Sequence, residues 1–311
     1  MSLADSTRTQ YEGRIRKIEK VCFKIDTTNI TQEQINKIVE SFENQQTCKG
    51  MFSALLWYCK SKNAPEQVIQ SVQTAFNKLK EDCKKTANNQ ELTPKQLENY
   101  MSHTDVLTLY NKATGLMDFE SKEYNDNWIY YTIVCLYAVQ PPVRADYWNM
   151  SIVEYNPNLV RNTLECSTFR DKLNKYIKEN CSSEENNFCI ITPIESYFVF
   201  NNYKTAKTYG QQVVAAEWGI HHLLKHLRTA FDIWKVLPID TPNALVKYVK
   251  KAFLHFGGKE TTIGLLRHSY IVEFYKTNPS LVKKQELARK MLHSVNIQEQ
   301  YRSENIQEDD I

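Results

Sequence analysis

Glycine is scarce in this chain, with only 8 residues in 311, whereas tyrosine and phenylalanine occur 18 and 13 times. A collagen-like or low-complexity chain has the opposite bias, so both classes are excluded. Hydrophobic residues make up 42% of the sequence, which is enough for a sizeable core. The composition therefore indicates a helix-rich globular protein, and its length favours two domains.

Closely paired cysteines are missing as well. The 8 cysteines are scattered, and no two of them form a C-x-x-C pair. This spacing argues against a zinc module, and a chain large enough to bury its own core does not need disulfides. No apolar run approaches the roughly 20 residues that span a bilayer. We therefore expect reduced thiols and a soluble protein of the nucleus or cytoplasm, not secreted and with no membrane partner.

Neither sign of charge dominates, because the net charge is only +3. The distribution is more informative. Residues 201–300 contain 15 Lys and Arg against 7 Asp and Glu, and the sequence after residue 301 turns acidic. A basic block of this kind suits a polyanionic partner, although a solvated helix face would look the same.

Helical patterning dominates the first third of the chain. The first 25 or so residues resemble a basic arm, and Thr31, Pro65 and Thr93-Pro94 are typical helix starts. Short polar breaks separate these helices. We predict a helical N-terminal domain over residues 1–115, which ends near Gly115.

Residues 116–311 are predicted to form a mixed α/β domain. Asn127–Val139 is apolar nearly all round, as in a helix at the centre of a core, and Pro141-Pro142 must end it. Three runs have β character: Phe188–Ile191, Tyr197–Phe200 and Gln211–Ala215, the last two joined by a polar turn. The clearest later helices are Ala244–Phe256 and Thr262–Tyr275. The predicted fold class is mainly α with a small antiparallel β-sheet.

Four short segments carry candidate chemistry, and their order along the chain matters. They are PPVRADYWNM (141–150), NNYKTAKTYG (201–210), GLLRHSYIVEFY (264–275) and MLHSVNIQEQY (291–301). Together they resemble the tyrosine recombinase (phage integrase) family. The likeness is greatest to the branch found in Crypton-type mobile elements and in large DNA viruses and virophages. It covers about residues 125–303.

The resemblance assigns five catalytic positions. These are Arg144 and Arg267 as the arginine pair, Lys204 as the β-hairpin lysine, His293 as the late histidine, and Tyr301 as the nucleophile. The family usually has a histidine three residues before the second arginine. Here that residue is Gly264, and His268 does not replace it by position. The substitution puts one proton-transfer or phosphate contact in doubt.

These residue types suit phosphodiester transesterification. Two guanidinium groups can hold both non-bridging oxygens of a phosphate as negative charge grows on them. Lys204 would protonate the leaving 5′ oxygen, and His293 would take the proton of Tyr301 or orient its oxygen. The resulting 3′-phosphotyrosine stores the bond energy for rejoining. The expected reaction uses no metal and no cofactor.

Further expectations concern the terminal helix and the partners. Asn296 followed by Glu299 is a capping-box pattern, which predicts Tyr301 in the first turns of a short helix. The resemblance implies double-stranded DNA as the substrate, held between the two domains. It also implies a homo-tetramer on paired DNA sites.

Several alternatives stay open at this stage. Lys207 competes with Lys204 as the general acid, because both lie in the same turn. The cluster His221, His222 and His226 suggests either a metal site or, as we favour, a surface or DNA-facing patch. The whole chain is also compatible with a type IB topoisomerase-like enzyme, or with a catalytically inactive DNA-binding protein derived from a recombinase.

Overall fold

The computed structural model describes residues 5–88, 92–156, 168–299 and 301. The chain divides into two compact units, Met1–Glu91 and Leu92–Ile311. Cys166 and the acidic residues after Tyr301 lie outside the described residues.

The described part of the first unit is helical. Its helices are α1 (Asp5–Val21), α2 (Gln32–Ser41), α3 (Gln45–Ser61) and α4 (Glu66–Asn88). As predicted, Thr31 caps α2 through a capping box with Gln34. The expected basic arm is instead the helix α1, because Ile15, Ile18 and Cys22 recur at helical spacing and are buried in the core of this unit.

The second unit contains both helices and strands. Its helices are α5 (Pro94–Glu98), α6 (His103–Leu116), α7 (Asp126–Ala138), α8 (Phe169–Asn180), α9 (Ala206–Tyr209), α10 (Trp218–Phe231), α11 (Pro242–His255), α12 (Ile263–Lys276), α13 (Leu281–Lys290) and α14 (Val295–Glu299). Its strands are β1 (Ser151–Glu154), β2 (Phe188–Ile191), β3 (Ser196–Phe200) and β4 (Gln212–Ala215).

The chain divides between Glu91 and Leu92, a different position from the predicted domain boundary. Gly115 lies inside the second unit, near the end of α6. The reason is packing, because Val106, Leu109 and Ala113 of α6 are buried in the same core as α7.

Helix α7 occupies the centre of the second unit, as its sequence predicts. All residues from Tyr131 to Ala138 are buried, and so is Trp128. The helix ends just before Pro141-Pro142, which cannot continue it. Arg144, the first candidate arginine, therefore lies shortly after the end of the buried helix α7.

The sheet has the strand order β1-β2-β3-β4. Strands β2, β3 and β4 pair antiparallel, as expected, but β1 pairs parallel with β2. The prediction of a purely antiparallel sheet was therefore wrong. Parallel neighbours need a crossover connection, and α8 lies in the connection between β1 and β2.

Seven cysteines belong to the described residues, and all seven are buried free thiols. None of the helices in the described part of the chain combines the length and apolarity that crossing a membrane requires.

Candidate active site

The short connection between α13 and α14 belongs to the fourth sequence segment and contacts the other three. The carbonyl of Met291 accepts a hydrogen bond from Nη1 of Arg267 (3.2 Å). The next carbonyl, that of Leu292, accepts from Nη1 of Arg144 (3.4 Å) and from the hydroxyl of Thr205 (3.2 Å). This connection therefore links both arginines and the lysine-bearing turn.

Leu292 adopts a left-handed backbone conformation, with φ of 56°. For a residue other than glycine this conformation costs about 1–3 kcal/mol. The hydrogen bonds that the arginines and Thr205 donate to this connection offset the cost. Strain of this kind persists where the surrounding structure imposes it, which is common at functional sites.

Arg267 is the most deeply buried charge of the site, with 1% of its surface exposed. Its Nη1 also donates to the carbonyl of Pro142 (2.5 Å), and its Nη2 lies 2.7 Å from Nδ1 of His293. Burying a guanidinium without such acceptors would be strongly unfavourable. Burial nevertheless lowers the pKa of Arg267 from its ordinary value. Its Nε atom has no hydrogen-bond partner among the described residues.

The contact with Arg267 determines the tautomer of His293. An arginine can only donate, so Nδ1 of His293 must accept, and the proton of the neutral ring must sit on Nε2. Burial, together with the charges of Arg267 and Arg144, lowers the pKa of His293 to about 3. The ring is therefore neutral at pH 7. Its Nε2–H is buried and has no partner within the described residues.

Tyr301 lies against these groups. The Arg267 guanidinium is 5.7 Å from the centre of its ring. The ring of His293 stacks on it with centroids 6.2 Å apart, and the ring of His268 meets it edge-on at 6.3 Å. Of the five predicted positions, Arg267, His293 and Tyr301 thus form one contiguous cluster.

The predicted capping box at Asn296 is absent. The hydroxyl of Ser294 instead accepts from the backbone N–H of Ile297 (3.3 Å), so α14 begins earlier and ends at Glu299. Tyr301 therefore follows the helix rather than lying in its first turns. Its backbone N–H donates to the carbonyl of Gln298 (3.0 Å). Serine is a favoured N-cap residue, so the sequence offered Ser294 as well as Asn296 as a start of this helix.

Arg144 lies where the chain leaves α7, and its side chain is only partly buried. Its carbonyl accepts a hydrogen bond from the hydroxyl of the buried Tyr137 (2.8 Å), which holds this loop against α7. The side chain reaches the carbonyl of Leu292, as described above. Arg144 thus borders the cluster and remains accessible from solvent.

Of the five predicted positions, only Lys204 contacts neither the cluster nor the connection between α13 and α14 within the described residues. It is exposed on the turn between β3 and β4, and its amine makes no hydrogen bond or ion pair within the described residues. The predicted turn is confirmed, although it contains the helical turn α9, where the exposed Lys207 lies. Thr205, beside Lys204, fastens this turn to Leu292.

Asn187 connects the loop of Arg144 to the lysine turn and was missed by the sequence analysis. Its side-chain amide nitrogen donates to the carbonyls of Asp146 (3.0 Å) and Asn202 (2.9 Å). Its side-chain oxygen accepts from the backbone N–H groups of Asn201 and Asn202 (2.9 and 2.8 Å). No motif signals this residue, because its function depends on two loops that are distant in sequence.

Asp146 supplies negative charge near both arginines. Burial raises the pKa of Asp146 to about 6, while the charges of Arg144 and Arg267 oppose that increase. The aspartate follows Arg144 by two positions in the first segment, so the sequence contained a signal for it. Its effect on the arginines became visible only with the fold.

A cavity of about 380 Å³ opens beside this cluster. His293 and Leu292 form one side, and Tyr203 and Tyr209 of the lysine turn form another. The cavity gives His293 access from the direction of the lysine turn.

The three histidines on α10 are engaged in packing. His221 is buried, and its Nδ1 lies 2.9 Å from the hydroxyl of Ser196. His222 contacts Trp218, and His226 stacks on Trp128. Within the described residues, no group of three His, Cys, Asp or Glu side chains is placed to hold a metal ion. The expectation of a surface or DNA-facing patch is wrong for His221, because its ring faces the protein interior.

Neither a scan of protein-family models nor searches of curated proteins and of solved structures found a match to this chain. The function of the site is therefore inferred from the geometry of its own residues.

Proposed function

We propose that this protein breaks and rejoins DNA strands by transesterification, with Tyr301 as the nucleophile. The observation that carries the proposal is the cluster of Arg267, His293 and Tyr301 with Arg144 at its border. The two arginines are distant from each other in sequence, yet both converge on the connection between α13 and α14, where His293 lies. Site-specific recombination or integration is the outcome we favour.

The unsatisfied groups of the cluster fit a phosphate. Nε of Arg267 and Nε2–H of His293 are buried donors without partners in the described part of the chain. Leaving such donors unsatisfied costs about 1–3 kcal/mol each. An oxyanion that accepts from them would recover this energy, and it would recover most where charge develops in the transition state.

The tautomer of His293 does not favour the role of proton acceptor from Tyr301 that the resemblance implied. Its Nε2 carries a proton and so acts as a donor toward a phosphate oxygen. Arg144, which is partly exposed, is suited to meet the other non-bridging oxygen. Lys204 on its exposed turn would protonate the leaving 5′ oxygen once DNA brings the scissile phosphate between the turn and the cluster.

DNA cleavage on a suicide duplex tests the proposal. A nick close to the cleavage site lets the short 5′ fragment diffuse away, so the 3′-phosphotyrosine accumulates as a band that survives denaturation. We expect the wild-type protein to form this band in excess EDTA and Tyr301→Phe to form none. Tyr270→Phe is the matched control, because Tyr270 packs in the same aromatic cluster.

The outcomes separate the alternatives. An adduct that persists in Tyr301→Phe would assign the nucleophile to another residue. The absence of any adduct from the wild-type protein, with DNA binding retained, would indicate an inactive DNA-binding protein. Strand exchange between paired sites supports a multimeric recombinase, expected to be a tetramer acting in the nucleus or cytoplasm. Relaxation of supercoils alone indicates a topoisomerase-like enzyme.

A further inference from the structure

Two histidines flank Tyr301, and they differ in what their free nitrogen can do. His293 and His268 both have 5% of their surface exposed, and both have a buried Nε2 without a partner among the described residues. A neutral imidazole has one donor and one acceptor nitrogen. In His293 the contact with Arg267 occupies the acceptor, so only a donor remains.

Within the part of the chain that the structure describes, no comparable contact occupies the acceptor of His268. Its ring meets Tyr301 edge-on at 6.3 Å and meets Tyr100 edge-on at 5.9 Å. The tautomer with a lone pair on Nε2 is therefore open to it. Burial lowers the pKa of His268 to about 4, so the ring is neutral at pH 7. Among the described residues, its ring contacts two titratable side chains, those of Tyr100 and Tyr301.

A phenol holds its proton at neutral pH, so attack on phosphorus requires a group that accepts this proton. Gly264 lies one turn before His268 on the same face of α12 and contributes no side chain. The amide of Gln298 is also buried without a partner, but an amide only orients a hydroxyl and does not take up its proton.

We propose that His268 accepts the proton of the Tyr301 hydroxyl during strand cleavage, while His293 donates to a phosphate oxygen. This inference rests on the proposed function. In the step, the O–H bond of Tyr301 breaks, its proton passes to Nε2 of His268, and its oxygen forms the bond to phosphorus. The bond from phosphorus to the 5′ oxygen breaks, and that oxygen takes a proton from Lys204. Ligation reverses each transfer.

Single-turnover cleavage of the suicide duplex between pH 6 and pH 9 tests this assignment. His268→Phe keeps an aromatic ring against Tyr100 and Tyr301 but removes both nitrogens. We expect it to bind DNA normally and to cleave about 100-fold or more slowly at pH 7. The deficit should shrink as the pH rises, because hydroxide then takes the proton. His293→Met, which has no N–H donor, is the comparison, and its deficit should stay constant with pH, because a lost donor is not replaced by hydroxide.

A second pair of variants covers the case in which His268→Phe does not fold. His268→Gln and His268→Met both fill a similar volume, and neither side chain can take up a proton. We expect both variants to show the same loss as His268→Phe, about 100-fold or more at pH 7. A Gln variant that cleaves at nearly the wild-type rate would overturn the assignment, because an orienting acceptor would then be sufficient.

The results also distinguish this inference from the proposed function. A wild-type protein that forms no covalent adduct refutes the proposed function itself. A wild-type protein that forms the adduct, together with a His268→Phe variant that cleaves equally fast, reduces His268 to a packing residue. If His268→Phe cleaves more slowly by the same factor at every pH, His268 is again only a packing residue. The slower cleavage then reflects altered packing and not a lost proton acceptor.

Discussion

The carboxylate of Asp146 is expected to destabilise the folded protein at neutral pH. Burial raises the pKa of Asp146 from its ordinary value of 3.8 to about 6. The folded state therefore holds this proton more tightly than the unfolded state does. The contribution of Asp146 to stability is most favourable at low pH and falls as the pH rises from the unfolded to the folded pKa. At about 1.4 kcal/mol per unit of pKa, the loss is about 1.5 kcal/mol at pH 5 and about 3 kcal/mol at pH 8.

The variant Asp146→Asn removes the charge and keeps the shape. We expect it to be more stable than the wild-type protein, and the difference in the free energy of unfolding should grow by about 1.5 kcal/mol from pH 5 to pH 8. Urea unfolding followed by tryptophan fluorescence measures this, because four of the five tryptophans lie in the second unit. Asp240→Asn, at an exposed position, is the control.

Two results would refute this reasoning. One is a stability difference that is the same at both pH values, and the other is an Asn variant that is less stable at pH 8. The same variant should cleave DNA more slowly, because Arg144 and Arg267 then lose a nearby opposite charge. A residue that lowers stability but supports activity is common at functional sites.

The remaining predictions concern the arginines and the lysines. Arg144→Ala and Arg267→Ala should each cost about 2–4 kcal/mol of transition-state stabilisation in cleavage assays. Only Arg267→Ala should also lower the thermal midpoint strongly, since it leaves buried acceptors unpaired; equal midpoints would contradict the hydrogen bonds described. Lys204→Ala should cleave a normal phosphodiester slowly and a 5′-bridging phosphorothiolate at nearly the wild-type rate, because sulfur leaves without a proton. Lys207→Ala should show a similar, modest deficit on both substrates. If the phosphorothiolate restores the rate of Lys207→Ala but not that of Lys204→Ala, the general acid is Lys207.

Local features of this fold could be predicted from the sequence because they depend on neighbouring residues. The apolar run of α7 and the two prolines after it determine a buried helix and its end. The β-type runs of β2, β3 and β4 and the polar turn between the last two were likewise recognisable. The parallel strand β1 was not, because its pairing depends on a crossover through α8 and not on its own four residues.

The same division applies to the candidate site. The motif strings identified Arg144, Lys204, Arg267, His293 and Tyr301 as candidates, because the residue types suit a phosphate and occur in a specific order. Only the tertiary structure decided that Nδ1 of His293 accepts from Arg267, since that contact joins residues 26 positions apart. The position of His268 against Tyr301 was hidden for the same reason. Which nitrogen donates and which accepts depends on partners that the chain brings together only when it folds.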